Sequence, residues 1–161
     1  MRVLVFLLML VATTAGAQER VAFFGITLLD TSLQTSASET VPAEPARILM
    51  LEKLVQERFL EEGFVFVDLE PARQKIDGRA NLAKCNGCDS RIAASLGADY
   101  SLVGEVQKVS NLILAINLQL RSAETGQMVR GGVVDIRGNT DESWMRGMRY
   151  ILKNRIFVRD K

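Results

Sequence analysis

The stretch Ile92-Ala-Ala-Ser-Leu-Gly-Ala-Asp-Tyr-Ser-Leu-Val-Gly-Glu-Val106 opens the part of this 161-residue chain whose reading decides the fold. It continues through Leu112-Ile-Leu-Ala-Ile-Asn-Leu-Gln-Leu120, a Glu124-Thr-Gly126 turn and a last apolar run to Ile136. Gly97 is placed to stop a helix. Tyr100 to Val109 and Leu112 to Arg121 read as strands joined tightly at Ser110-Asn111. In the second of them Leu114, Ile116, Leu118 and Leu120 alternate with Ala115, Asn117, Gln119 and Arg121. A period of two places one face in the core and one in water. The third strand runs through about Ile136, and Gly131-Gly132 within it marks a bulge or a close backbone approach.

Upstream, Arg20 to Asp30 carries Val21, Phe23, Phe24, Ile26, Leu28 and Leu29, which predicts a strand buried on both faces. Six of the ten residues from Thr31 to Thr40 are Ser or Thr, the composition of a flexible loop. Pro42 and Pro45 suit a first helical turn. Ile48, Leu51, Leu54, Val55 and Phe59 recur at helical spacing until Gly63. Phe64 to Val67 is a short strand, and Glu70 to Ile76 has room for one helical turn. Asp89 is placed to cap a helix that runs through Leu96. Downstream, Asn139 and Glu142 have capping-box spacing, and Trp144, Met148, Ile151, Leu152 and Ile156 form one stripe of a closing helix. The order β-α-β-α-β-β-β-α predicts an α/β (α+β) domain with a single mixed sheet of about five strands, packed by helices. The early strands should pair in parallel and the late ones as an antiparallel meander.

The first 17 residues read as a sorting signal. Arg2 gives the positive start, Val3 to Ala12 the apolar run, and Ala15-Gly16-Ala17 the cleavage site. The run is shorter than the roughly 20 residues that span a bilayer. Cleavage after Ala17 leaves a single domain, residues 18–161, expected in the periplasm. With no cysteine near residue 17, no lipid or other stable membrane anchor is expected. Beyond Arg2 the chain holds 19 basic and 19 acidic residues, a balance that gives no electrostatic footprint for nucleic acid. It contains no histidine, which excludes His-based triads and His metal sites.

Cys85-Asn-Gly-Cys88 is the sharpest local motif. Ahead of a helix, such a pair supports disulfide exchange when the helix N-terminus lowers the pKa of the first thiol. A thioredoxin setting also needs a strand leading into the motif and a proline loop after it. Here the polar segment Asp77 to Lys84 precedes the motif, and so do Pro42, Pro45 and Pro71. In an oxidising compartment the pair reads as a local structural disulfide. The alternative is a thiol-disulfide carrier with Cys85 as nucleophile and Cys88 as resolver; two thiolates are only half a zinc site. The candidate partner-binding residues are Asp30, Thr31 and Ser32, beyond the carboxyl end of the first strand where open α/β sheets bind ligands. Arg149 and Lys153, on the basic face of the closing helix, are the others. No phosphate-cradling glycine motif, catalytic constellation, metal set or cofactor signature is present, so a non-catalytic role is expected.

The steps Leu96-Gly97, Asp99-Tyr100, Gly104 and Thr125-Gly126 resemble those of the TolB amino-terminal domain and the curli-secretion (CsgG-like) lipoproteins. More narrowly, the chain is similar to a family of small exported Gram-negative proteins of unknown function. The resemblance implies an envelope adaptor or binding module with another envelope or periplasmic protein as partner. A quinoprotein dehydrogenase system is among the partners it suggests.

Overall fold

The computed structural model describes residues 18–32 and 43–158. Residues 1–17, read above as a sorting signal, and the Ser/Thr-rich stretch beyond Ser32 lie outside the described residues. Strand β1 (Arg20–Asp30) buries Val21, Ala22 and Phe23 on both faces, because it sits inside the sheet. The strand order is β2-β1-β3-β4-β5. β1 pairs in parallel with β2 (Val65–Phe66) and β3 (Tyr100–Lys108). β3, β4 (Ile113–Ser122) and β5 (Met128–Arg137) form the antiparallel meander. The mixed five-stranded sheet is therefore the one the sequence predicts, although β2 holds two residues rather than four.

One irregularity shapes β1. Phe23 pairs with Leu102 and Ile26 with Gly104, so Phe24 and Gly25 together oppose Val103 in a bulge. Gly25 adopts a φ of +83°, a region that favours glycine. The displaced Ile26 N–H donates to Glu52 Oε1 at 2.8 Å, and a Cβ on residue 25 would lie 2.8 Å from the same oxygen.

Helix α1 (Ala43–Glu61) and helix α4 (Asp141–Ile151) cover one face of the sheet. Pro45 falls in the first turn of α1, where a missing N–H is harmless. Leu51, Val55 and Phe59 are fully buried, with Ile48 and Leu54 beside them. Phe59 meets Phe64 and Phe157 edge-on, at centroid distances of 5.2 and 4.8 Å. The closing stripe packs as read: Trp144, Met148, Ile151, Leu152 and Ile156 are all buried against Leu114, Ile116, Leu118 and Leu120. α4 ends in one wide turn, Leu152–Ile156, which lays the stem of Arg155 over Gly132. A Cβ on residue 132 would lie 2.5 Å from Arg155 Cγ, so the glycine pair marks a close approach, with a strand irregularity just upstream.

The opposite face is covered only in part. α2 (Arg73–Asp77) and α3 (Cys88–Ser95) sit over β1 and β3, where Leu82, Cys88, Ile92 and Val103 form a second cluster. No helix covers β4 and β5 on this side among the described residues, which explains the alternation in β4.

Two expected helix caps are corrected. Asp89 lies inside the first turn of α3; the cap position belongs to Gly87, whose φ of +77° turns the chain into the helix. Asn139 does not cap α4. Thr140 does, accepting the Ser143 N–H, because the Asn139 side chain is engaged elsewhere.

Trp144 is fully buried, and its indole N–H donates to Asn139 Oδ1 at 2.9 Å. Trp144→Ala should lower stability by about 3–5 kcal/mol, read from the midpoint and slope of a urea melt.

Candidate functional site

At the carboxyl ends of β1 and β3, Asp30 and Lys108 are register partners. Lys108 follows Leu102, Gly104 and Val106 on the inward face of β3, so its side chain enters the core with 2% exposure. A buried ammonium needs anionic partners. Glu44, from the first turn of α1, lies 2.9 Å from Lys108 Nζ, and Asp30 Oδ2 lies 3.3 Å away. Glu44 also accepts the Asn139 amide at 2.6 Å. The Asn139 carbonyl in turn accepts from Trp144 Nε1 and from Arg47, and Arg47 pairs with Asp141 at 2.7 Å. Burial alone would lower the Lys108 pKa, but hydrogen bonds to Glu44 and Asp30 outweigh it and hold the pKa above its ordinary value. The amine therefore stays protonated at neutral pH and is neither a base nor a nucleophile there.

All three predicted residues of this loop make structural contacts. Asp30 is part of the Lys108 cage, and the Thr31 hydroxyl and N–H both donate to the Lys108 carbonyl. The Ser32 hydroxyl and N–H donate to Asp30 Oδ1, at 2.6 and 2.9 Å. Sequence reasoning missed Lys108 and Glu44, and read Asn139 only as a helix cap. The parity of Lys108 with Leu102 and Val106 was the signal for the first.

Cys85 and Cys88 form a disulfide across the Asn86-Gly87 turn, in which both residues have positive φ. Cys88 is buried and packs in the second core cluster. The neighbouring Asp89 is also buried; it accepts the Ser101 hydroxyl at 2.7 Å and lies 3.8 Å from Arg121. Its other oxygen is 4.0 Å from Cys85 Sγ, so an anion sits beside that sulfur. Glu105, buried on the same side, holds Asn81 and Lys84. Arg149 and Lys153 are exposed on α4 and its final turn. The three sets of predicted site residues stand on different elements.

The last strand contributes a different surface. β5 is the terminal strand of the sheet, ten residues long, and Met128, Val129 and Val133 are exposed along it by 47%, 44% and 58%. Arg130, Asp135 and Arg137 are exposed on it as well. A long edge strand with exposed apolar side chains is a template for pairing with another chain.

The family model described as "Protein of unknown function (DUF2380)" matches residues 19–156. No curated protein matches the sequence significantly. Among solved structures, the LpoB C-terminal domain from Salmonella enterica is 17% identical with a TM-score of 0.51, covering 76% of this chain and 87% of that one. The LpoB C-terminal domain from Escherichia coli is 17% identical with a TM-score of 0.50, covering 78% and 87%. TolB from Acinetobacter baumannii is 9% identical with a TM-score of 0.42, covering 84% of this chain and 28% of that one. The two LpoB domains show a shared fold. The curli-secretion likeness stays with the sequence.

Removing Lys108 would leave Glu44 buried without its cation, so Lys108→Met should cost about 3–5 kcal/mol in chemical denaturation. The pH dependence has a defined sign. The Lys108 pKa is raised from 10.5, so its stabilisation is complete below that value and is lost as pH rises through the folded-state pKa. Tyr100 adds to the same alkaline loss: its phenol donates to Glu19, and that bond, burial and the charges of Glu19 and Asp99 raise its pKa from 10.0. Melts at about pH 9 and about pH 11 should show a smaller alkaline loss in Lys108→Met and in Tyr100→Phe than in the parent.

Proposed function

The chain belongs to this family of unknown function, and from that premise we propose that it is a non-catalytic periplasmic adaptor or binding module of the cell envelope. In this reading residues 1–17 are a cleaved signal peptide and residues 18–161 one binding domain. The observation that carries it is β5: an unpaired edge among the described residues, with exposed Val129 and Val133 next to a sheet face no helix covers. Edges of this kind receive a strand from a partner, with main-chain hydrogen bonds supplying affinity and alternate side chains specificity. The partner is another envelope or periplasmic protein, with quinoprotein dehydrogenase systems among the candidates. Arg149 and Lys153 offer a second, electrostatic contact on α4, and the loop beyond Asp30, Thr31 and Ser32 a third.

The thiol-disulfide alternative draws little support from the surroundings of Cys85 and Cys88. An anionic carboxylate beside Cys85 opposes a thiolate there, and Cys88 is packed in the core. Its reduction potential should lie below roughly −300 mV, as for structural disulfides, rather than at the roughly −120 to −270 mV of working couples.

Binding is tested with the tagged mature protein and a periplasmic extract, with and without crosslinker. The parent should retain a defined envelope protein, and Val133→Lys, which blunts the edge, should reduce its recovery about tenfold. The double variant Arg149→Ala/Lys153→Ala should change stability by less than about 1 kcal/mol and reports on the basic face separately. Failure of the parent to retain any protein above background, even when crosslinked, would sink the reading.

A further inference from the structure

Between α2 and α3, on the side of the sheet away from α1 and α4, lies an open cleft of about 520 Å³. Gln74, Lys75, Arg79, Cys88, Arg91 and Ile92 line it, so three cations and an amide face one concave surface without a carboxylate. The acids nearby are already engaged: Glu70 pairs with Arg73, Glu105 with Lys84, and Asp89 with Arg121. Asp77 lies between Lys75 and Arg79 in sequence but does not line the cleft. Arg79 lies just past the end of α2, four residues after Lys75.

Arg91 is positioned for such a role. Its Nη1 donates to the Asn86 carbonyl at 3.4 Å, so the loop closed by the Cys85–Cys88 disulfide anchors the guanidinium beside the cleft. Two guanidinium forks and an ammonium match the several oxygens of a phosphate better than a single carboxylate, since each fork can engage two oxygens. We propose that this cleft binds a multiply charged phosphate group, with Lys75, Arg79 and Arg91 as its ligands. Either a soluble phosphate compound or a phosphate headgroup on a lipid supplies that chemistry. The site is independent of the β5 edge and of the partner that edge receives.

Calorimetric titration of the mature protein with inorganic pyrophosphate tests the assignment. Saturable binding that weakens with added salt is expected in the parent, and at least about tenfold weaker binding in Arg79→Gln/Arg91→Gln with an unchanged melting temperature. Arg149→Gln/Lys153→Gln removes the same charge elsewhere and should keep the parent affinity. Co-flotation with phosphatidylcholine vesicles carrying phosphatidic acid separates the sources. Vesicle binding displaced by pyrophosphate assigns a lipid headgroup, and pyrophosphate binding without vesicle binding assigns a soluble compound. No saturable binding of either probe, or equal weakening by the two double variants, would overturn the proposal.

Discussion

The ammonium of Lys108 is the point at which four elements of this protein are joined. It leaves β3 on the inward face, meets Glu44 from α1 and Asp30 from β1, and through Glu44 reaches Asn139 at the start of α4. A charge in that position is tolerable only if every partner is in place, because an unpaired buried ion costs several kcal/mol. The apolar stripe of α4 sets how the helix packs. The Asn139 bonds to Glu44, Arg47 and Trp144 set where along the sheet it begins. Hydrophobic contact alone would allow the helix to slide, whereas this network has one register.

The sheet was legible because its signals are periodic. Leu114 to Leu120 show one wet face, and that face is bare because α3 reaches only β1 and β3. β1 and the stripe from Trp144 to Ile156 were readable for the same reason. What could not be read is polar and non-local. Asp89 has the residue type of a cap, but the left-handed Gly87 turns the chain one step earlier and leaves Asp89 facing Ser101 and Arg121. Asn139 has it too, yet its amide serves Trp144, Arg47 and Glu44, and Thr140 takes over the cap. Asp30, Thr31 and Ser32 were placed correctly at the strand end, but local spacing does not reveal a lysine 78 positions later in the same register.

The two sides of the sheet have different physical characters. One is an apolar layer sealed by α1 and α4. The other places buried Asp89 and Glu105 beneath short helical turns, each carboxylate matched by a cation or amide. Short turns bury little apolar area, so on this side paired charges and a disulfide do the fixing that hydrophobic contact does on the first. Lys75, Arg79 and Arg91 line the cleft on this side.

The position of β1 has a consequence for how the chain reaches this structure. Its neighbours β2 and β3 both come later, and its main partner pairs Val21 with Tyr100 and Asp30 with Lys108. The segment from β3 to α4, by contrast, is built from neighbours joined by tight turns. Closing a loop of roughly 80 residues costs more entropy than closing a hairpin, and non-local pairings form slowly. Contact order therefore favours the meander and its closing helix forming before β1 docks beside β3. Among the described strands β1 comes earliest in the chain, so its apolar run stays without its main neighbour until β3 has been made.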